Sequence, residues 1–162
     1  MADNRPTIAI LGGTGAVGAG LAWRWAKAGY PVIIGSRAAE KAEQAVREVV
    51  ERAPGAALSG SENLAAAAAA DIVVLTVPYA NHGAMLEAVK DTVQGKIFVD
   101  VTVPLVPPKV SRVQLPDGGS VAKAAQEYLG PDVKVVSALQ NVAAAHLSDN
   151  HGGPDCDVLV CG

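Results

Sequence analysis

The runs TIAIL (7–11), PVIIG (31–35), DIVVLTV (71–77), KIFVDV (96–101) and VKVVSA (133–138) lack the polar alternation of a strand with one wet face. Strands of that kind are covered on both faces, which is the signature of a parallel sheet. Between them lie segments patterned as helices: 16–29, stopped by Gly29; 38–53, closed by Pro54-Gly55; an alanine-rich stretch at 62–70; about 81–93; and about 120–129. A short strand near AALSG (56–60) and a strand-like run DVLVCG (157–162) complete the order. Parallel strands need crossover connections, and these are right-handed almost without exception. The pattern therefore predicts an α/β fold: an open, doubly wound, mainly parallel sheet with helices on both faces.

At 162 residues the chain has the usual size of one domain. Charged residues make up 18% and the formal net charge is −3. No basic cluster invites nucleic acid or an anionic membrane surface. The longest apolar stretch, around LAAAAAADIVVLTV, is interrupted by Asp71 and is too short to span a bilayer. MADNRPT at the start is polar, without the apolar core of a secretion signal. A cytoplasmic protein is expected. Cys156 and Cys161 lack metal-ligand or C-x-x-C spacing and read as two small buried hydrophobes in a reducing compartment.

The chemistry is concentrated in Gly13-Thr14-Gly15-Ala16-Val17-Gly18. G-x-G-x-x-G alone is a weak signal. Here it leaves a predicted strand and opens a predicted helix within a βαβ unit, the context that a dinucleotide-binding turn requires. Gly13 would make the tight turn, Gly15 would admit a pyrophosphate, and Gly18 would bring the helix close to the strand. The helix N-terminus adds free N–H groups and partial positive charge. No Gly-Lys-Ser/Thr follows, which excludes a kinase-type phosphate loop.

The second strand ends in Gly35-Ser36-Arg37, with Lys41 one helical turn on. NAD-preferring proteins carry an acid there, which hydrogen-bonds the adenosine ribose. This strand end has none. Ser36 is either a helix N-cap or a donor to a phosphate oxygen. Arg37 near a helix N-terminus is locally misplaced unless an anion compensates it. Ser36, Arg37 and Lys41 together favour the 2′-phosphate of NADP.

With those motifs in view, the sequence resembles the NADPH-dependent reductases of the deazaflavin coenzyme F420. The likeness rests on AILGGTGAVGAGLAWRWAKAG, VIIGSRAAEKAE, DIVVLTVPYANH, VKVVSALQNV and DVLVCG, in that order along nearly the whole chain. It implies a Rossmann-type, nucleotide-binding oxidoreductase with NADP(H) at the carboxyl ends of the strands and coenzyme F420 as second substrate. By motif, Thr14, Ala16 and Val17 approach the phosphates, and Ser36, Arg37 and Lys41 the 2′-phosphate. Thr76, Val77, Pro78 and Tyr79 border the ribose and nicotinamide, and Ala138 and Leu139 line the far side.

After VVSAL the family often presents a His or Asn to the deazaflavin; here Gln140-Asn141 follows, and either amide can bond a flavin-like ring. His82 follows the fourth strand, either within reach of a ligand or as a plain loop histidine. His146 and His151 are scattered. The resemblance further implies one NADP-binding domain over 1–162, with the family's C-terminal helical segment absent or cut off. Hydride transfer between two redox coenzymes needs no triad. Accordingly no catalytic residue and no metal site is singled out. Small molecules are the expected partners, and a homodimer stays open. Two alternatives stand beside this reading: an NADPH-dependent reductase of another small acceptor (a flavin, ferric iron, an imine or a carbonyl), and a non-catalytic NADP-binding module.

Overall fold

The computed structural model describes residues 5–148 and 156–162. Six strands form one sheet: β1 (Ile8–Leu11), β2 (Val32–Ser36), β3 (Leu58–Glu62), β4 (Ile72–Leu75), β5 (Ile97–Asp100) and β6 (Lys134–Ser137). The helices are α1 (Ala16–Lys27), α2 (Ala39–Arg52), α3 (Asn63–Ala69), α4 (His82–Val89), α5 (Val121–Leu129) and α6 (Ala144–Ser148), with a 3-10 turn at Tyr79–Asn81. The spatial order is β3-β2-β1-β4-β5-β6, and every strand pair is parallel. Leu11, Leu75, Asp100 and Ser137 stand in register across β1, β4, β5 and β6. The chain crosses from one half of the sheet to the other between β3 and β4. That reversal opens a crevice at the carboxyl ends of β1 and β4, where ligands of such sheets bind.

Each face of the sheet has its own core. On one, α1, α2 and α6 bury Leu21, Trp23, Val49 and Leu147 against Ile8, Ile10, Val32, Ile34 and Val74. On the other, α3, α4 and α5 bury Ala66, Leu86, Val89 and Leu129 against Ala9, Leu11, Val73, Leu75 and Phe98. Neighbouring residues of β1 thus point into opposite cores, which is why its sequence carries no polar alternation.

Departures from the sequence reading lie at the periphery. β3 begins two residues later than AALSG suggests. It reads Leu-Ser-Gly-Ser-Glu, because an edge strand with half-exposed faces needs no apolar run. The helix expected over about 81–93 is α4 preceded by the 3-10 turn, and it ends at Val89. DVLVCG is not a full strand: only Cys161 bridges Ser137, antiparallel, at the free edge of β6. Leu159 and Val160, just before that bridge, are 79% and 68% exposed. Cys156 and Cys161 are exposed free thiols, not the buried hydrophobes expected.

α6 was not visible in AAAHLS. Side chains from other helices hold it: Arg24 donates to the carbonyls of Leu147 (3.0 Å) and His146 (2.6 Å), and Arg52 to that of Ser148 (2.6 Å). Cations suit the carbonyl end of a helix. The helix also rests directly on α1 at Gly20, where a Cβ would stand 2.5 Å from Leu147 Cβ. Gly20→Ala is expected to lift α6 and cost about 1–2 kcal/mol of stability, an overpacking penalty, readable as a lowered Tm. An unchanged or raised Tm would show that this contact is soft.

Candidate functional site

A cleft of about 980 Å³ opens at the carboxyl ends of β1, β2, β4 and β5. Its floor is the turn after β1. Gly12 has φ +72°, a conformation that side chains disfavour. Its N–H donates to Asn63 Oδ1 at 3.1 Å, and its carbonyl accepts from Gly15 N–H at 3.1 Å. Gly13 N–H reaches across to the Gly35 carbonyl at 2.9 Å, which ties the turn to the end of β2.

α1 starts from Gly15, which has no side chain to cap the helix, and its first turn contains no acid. Its leading N–H groups therefore have no internal partner. Thr14, Gly15, Ala16 and Val17 line the cleft. Gly13 and Gly18 are buried behind them, in contact with each other. A Cβ at residue 18 would stand 2.6 Å from Gly13 Cα and 2.9 Å from Thr76 Oγ1.

The second wall is the β2–α2 junction. Ser36 is the last residue of β2 and lines the cleft. It does not cap α2: the N-cap is Ala38, with no side-chain acceptor. Arg37 and Lys41 also line the cleft; both are exposed, and their side chains make no hydrogen bond or ion pair among the described residues. The acid nearest by register is Glu62, beside Ser36 on β3, and it is not part of the lining.

The third wall follows β4. Thr76 Oγ1 donates to the Leu11 carbonyl at 2.9 Å, and Val77, Pro78 and Tyr79 continue the lining, followed by Asn81, Ala84 and Met85 of the α4 region. Val101, Thr102 and Val103, after β5, close the far end.

The other residues singled out from the sequence lie outside the lining. His82 is buried, with Nε2 2.7 Å from Asp100 Oδ2. Ala138 is buried after β6, and Leu139, with φ 69°, packs toward the α1 face of the sheet. Gln140 Nε2 donates to the Asp100 carbonyl at 2.7 Å and to Ser137 Oγ at 2.9 Å. Asn141 Nδ2 donates to the Asp157 carbonyl at 2.7 Å. His151 lies outside the described residues.

Sequence reasoning did not name Asn63 or Val101–Val103. A lone polar residue heading an alanine run, and the residues just past an apolar strand, were the available signals. Among the described residues no cluster of three or more His, Cys, Asp or Glu is placed to hold a metal, and no helix is long and apolar enough to cross a membrane.

The family model described as "NADP oxidoreductase coenzyme F420-dependent" matches residues 7–104. The chain belongs to this family. It is 45% identical to the F420-dependent NADP reductase of Methanocaldococcus jannaschii, the match covering 96% of this chain and 72% of that protein. It is 42% identical to the F420-dependent NADP reductase of Methanothermobacter marburgensis, over 94% of this chain and 71% of the relative. A solved structure from Arthrobacter sp. FB24, provisionally named an F420-dependent NADP-reductase, superposes with a TM-score of 0.76 at 30% identity. That superposition covers 96% of this chain and 72% of the other.

Proposed function

We propose that this chain transfers hydride between NADP(H) and the deazaflavin coenzyme F420, with NADP(H) bound in the cleft at the carboxyl edge of the sheet. The observation that carries the reading is the pairing of two anion-seeking features in one cleft. One is the uncapped start of α1 over the glycine turn. The other is Ser36 with Arg37 and Lys41, cations without a partner among the described residues, at the end of β2. A dinucleotide with an extra phosphate satisfies both; one without it leaves two cations idle at the N-terminus of a helix.

The N–H groups around Thr14–Val17 would hold the pyrophosphate. Gly13 and Gly18 would serve by letting α1 sit close to the turn. Ser36, Arg37 and Lys41 would hold the 2′-phosphate, and Thr76, Val77, Pro78 and Tyr79 would border the ribose and nicotinamide. Ala138 and Leu139 would back the far side of the nicotinamide pocket, and Gln140 and Asn141 would belong to the deazaflavin side. There both side-chain N–H groups of Gln140 and one of Asn141 are taken up internally, and their side-chain oxygens are groups that can accept from a ring N–H.

When bound, the two coenzymes supply the hydride donor and acceptor themselves. The chain's share is to orient them and exclude water, so no nucleophile or acid–base pair is required. We assign the chain to a single NADP-binding domain that works in the cytoplasm on small molecules, without nucleic acid or membrane, and leave homodimer formation open. The test is whether NADPH bleaches oxidised coenzyme F420 in the presence of the protein.

A further inference from the structure

The carboxylate of Asp100 is only 1% exposed, at the carboxyl end of β5, and it is joined to groups that follow β4 and β5. Oδ2 lies 2.7 Å from Nε2 of His82, the first residue of α4, which is itself 6% exposed. Oδ1 accepts the Thr102 N–H at 2.9 Å. The Asp100 carbonyl accepts Gln140 Nε2 at 2.7 Å, which adds the loop after β6. One residue therefore ties together the β4–α4, β5–α5 and β6–α6 connections. The segment after β5 also contains a hydroxyl, Thr102 Oγ1, that is buried without a hydrogen-bond partner among the described residues.

Such a cluster is costly to bury. A carboxylate and an imidazole withdrawn from water repay that cost only through good mutual geometry, and an apolar pair of the same volume is often at least as stable. Stability alone thus gives little reason for it here. Its position gives a better one: Tyr79 and Asn81, after β4, and Val101–Val103, after the neighbouring β5, line the same cleft, and the buried His82–Asp100 contact joins the two segments from outside the lining.

We infer that His82 and Asp100 form a positioning clamp that fixes the separation of these two loops, and with it the placement of the nicotinamide end of the bound dinucleotide. The inference rests on the reading of the cleft as the NADP site. The adenine end, at Ser36, Arg37 and Lys41, lies on the other side of β1 and is independent of the clamp.

The test compares three variants by binding and turnover. His82→Leu breaks the contact, His82→Asn shortens the side chain, and His82→Gln places an amide N–H where Nε2 stands. 2′,5′-ADP probes the adenine end alone, the emission of bound NADPH reports on the nicotinamide, and kcat is read with coenzyme F420. For His82→Leu and His82→Asn we expect 2′,5′-ADP to bind as in the parent protein, NADPH emission to change, and kcat to fall about 100-fold, the scale of a misplacement near 1 Å. His82→Gln is expected to recover most of that loss. If Leu does not fold, Asn and Gln carry the same comparison.

Equal losses for 2′,5′-ADP and NADPH would make the pair merely structural and overturn the clamp. So would parental kcat in both His82→Leu and His82→Asn. If the parent protein itself does not bind 2′,5′-ADP, the reading of the cleft as an NADP site falls, and the clamp's role with it.

Discussion

Arg37→Asp is expected to weaken NADPH binding about 100-fold while NADH binding stays within a few-fold of its parental value. Arg37 is exposed and has no partner among the described residues, so its removal takes nothing from the fold. Surface changes of that kind stay within about 0.5 kcal/mol in stability. What would be lost is one charge-assisted hydrogen bond to the 2′-phosphate, worth about 1.5–3 kcal/mol, and the new carboxylate would add like-charge repulsion. The sum corresponds to about two decades in Kd. Titration of the nicotinamide emission with each nucleotide checks the result. Equal losses for the two would refute the assignment of the 2′-phosphate to this corner.

Gly18→Ala is expected to abolish measurable NADPH binding and to lower stability by about 1–3 kcal/mol, the usual range for overpacking. The added methyl would meet Gly13 Cα at 2.6 Å and Thr76 Oγ1 at 2.9 Å. Neither is the flexible end of a long side chain. Gly13 is backbone inside the turn, held to β2 by its hydrogen bond to Gly35, and Thr76 is held to the Leu11 carbonyl. Relief requires α1 to move away from the turn, which carries its N–H groups out of reach of a pyrophosphate. Thermal denaturation and NADPH titration of the same sample check both halves. A stable variant that binds NADPH as the parent does would show that the helix need not sit this close.

The glycine turn and the Gly-Ser-Arg corner were legible because each is local. Residues 12–18 are one turn and the first residues of α1, and Ser36, Arg37 and Lys41 lie within six positions of each other. Unalternated strands gave the buried parallel sheet for a similar reason, since coverage of both faces leaves its mark on every residue of a strand.

The far half of the cleft was less legible. Val101–Val103 become lining only through the strand order that sets β5 beside β4, and Asn63 meets Gly12 across 51 positions of sequence. His82 and Asp100 lie 18 residues apart in different motifs, and neither motif hints at the other. α6 escaped because its reason to exist is external: arginines from α1 and α2 satisfy its carbonyl end.

The most direct measurement mixes the protein with NADPH and oxidised coenzyme F420 and follows the deazaflavin's visible absorbance. Rapid bleaching that requires protein and NADPH together is the predicted result. Tight NADPH binding with no bleaching would contradict hydride transfer to the deazaflavin, leaving a nucleotide-binding module or a reductase of another acceptor.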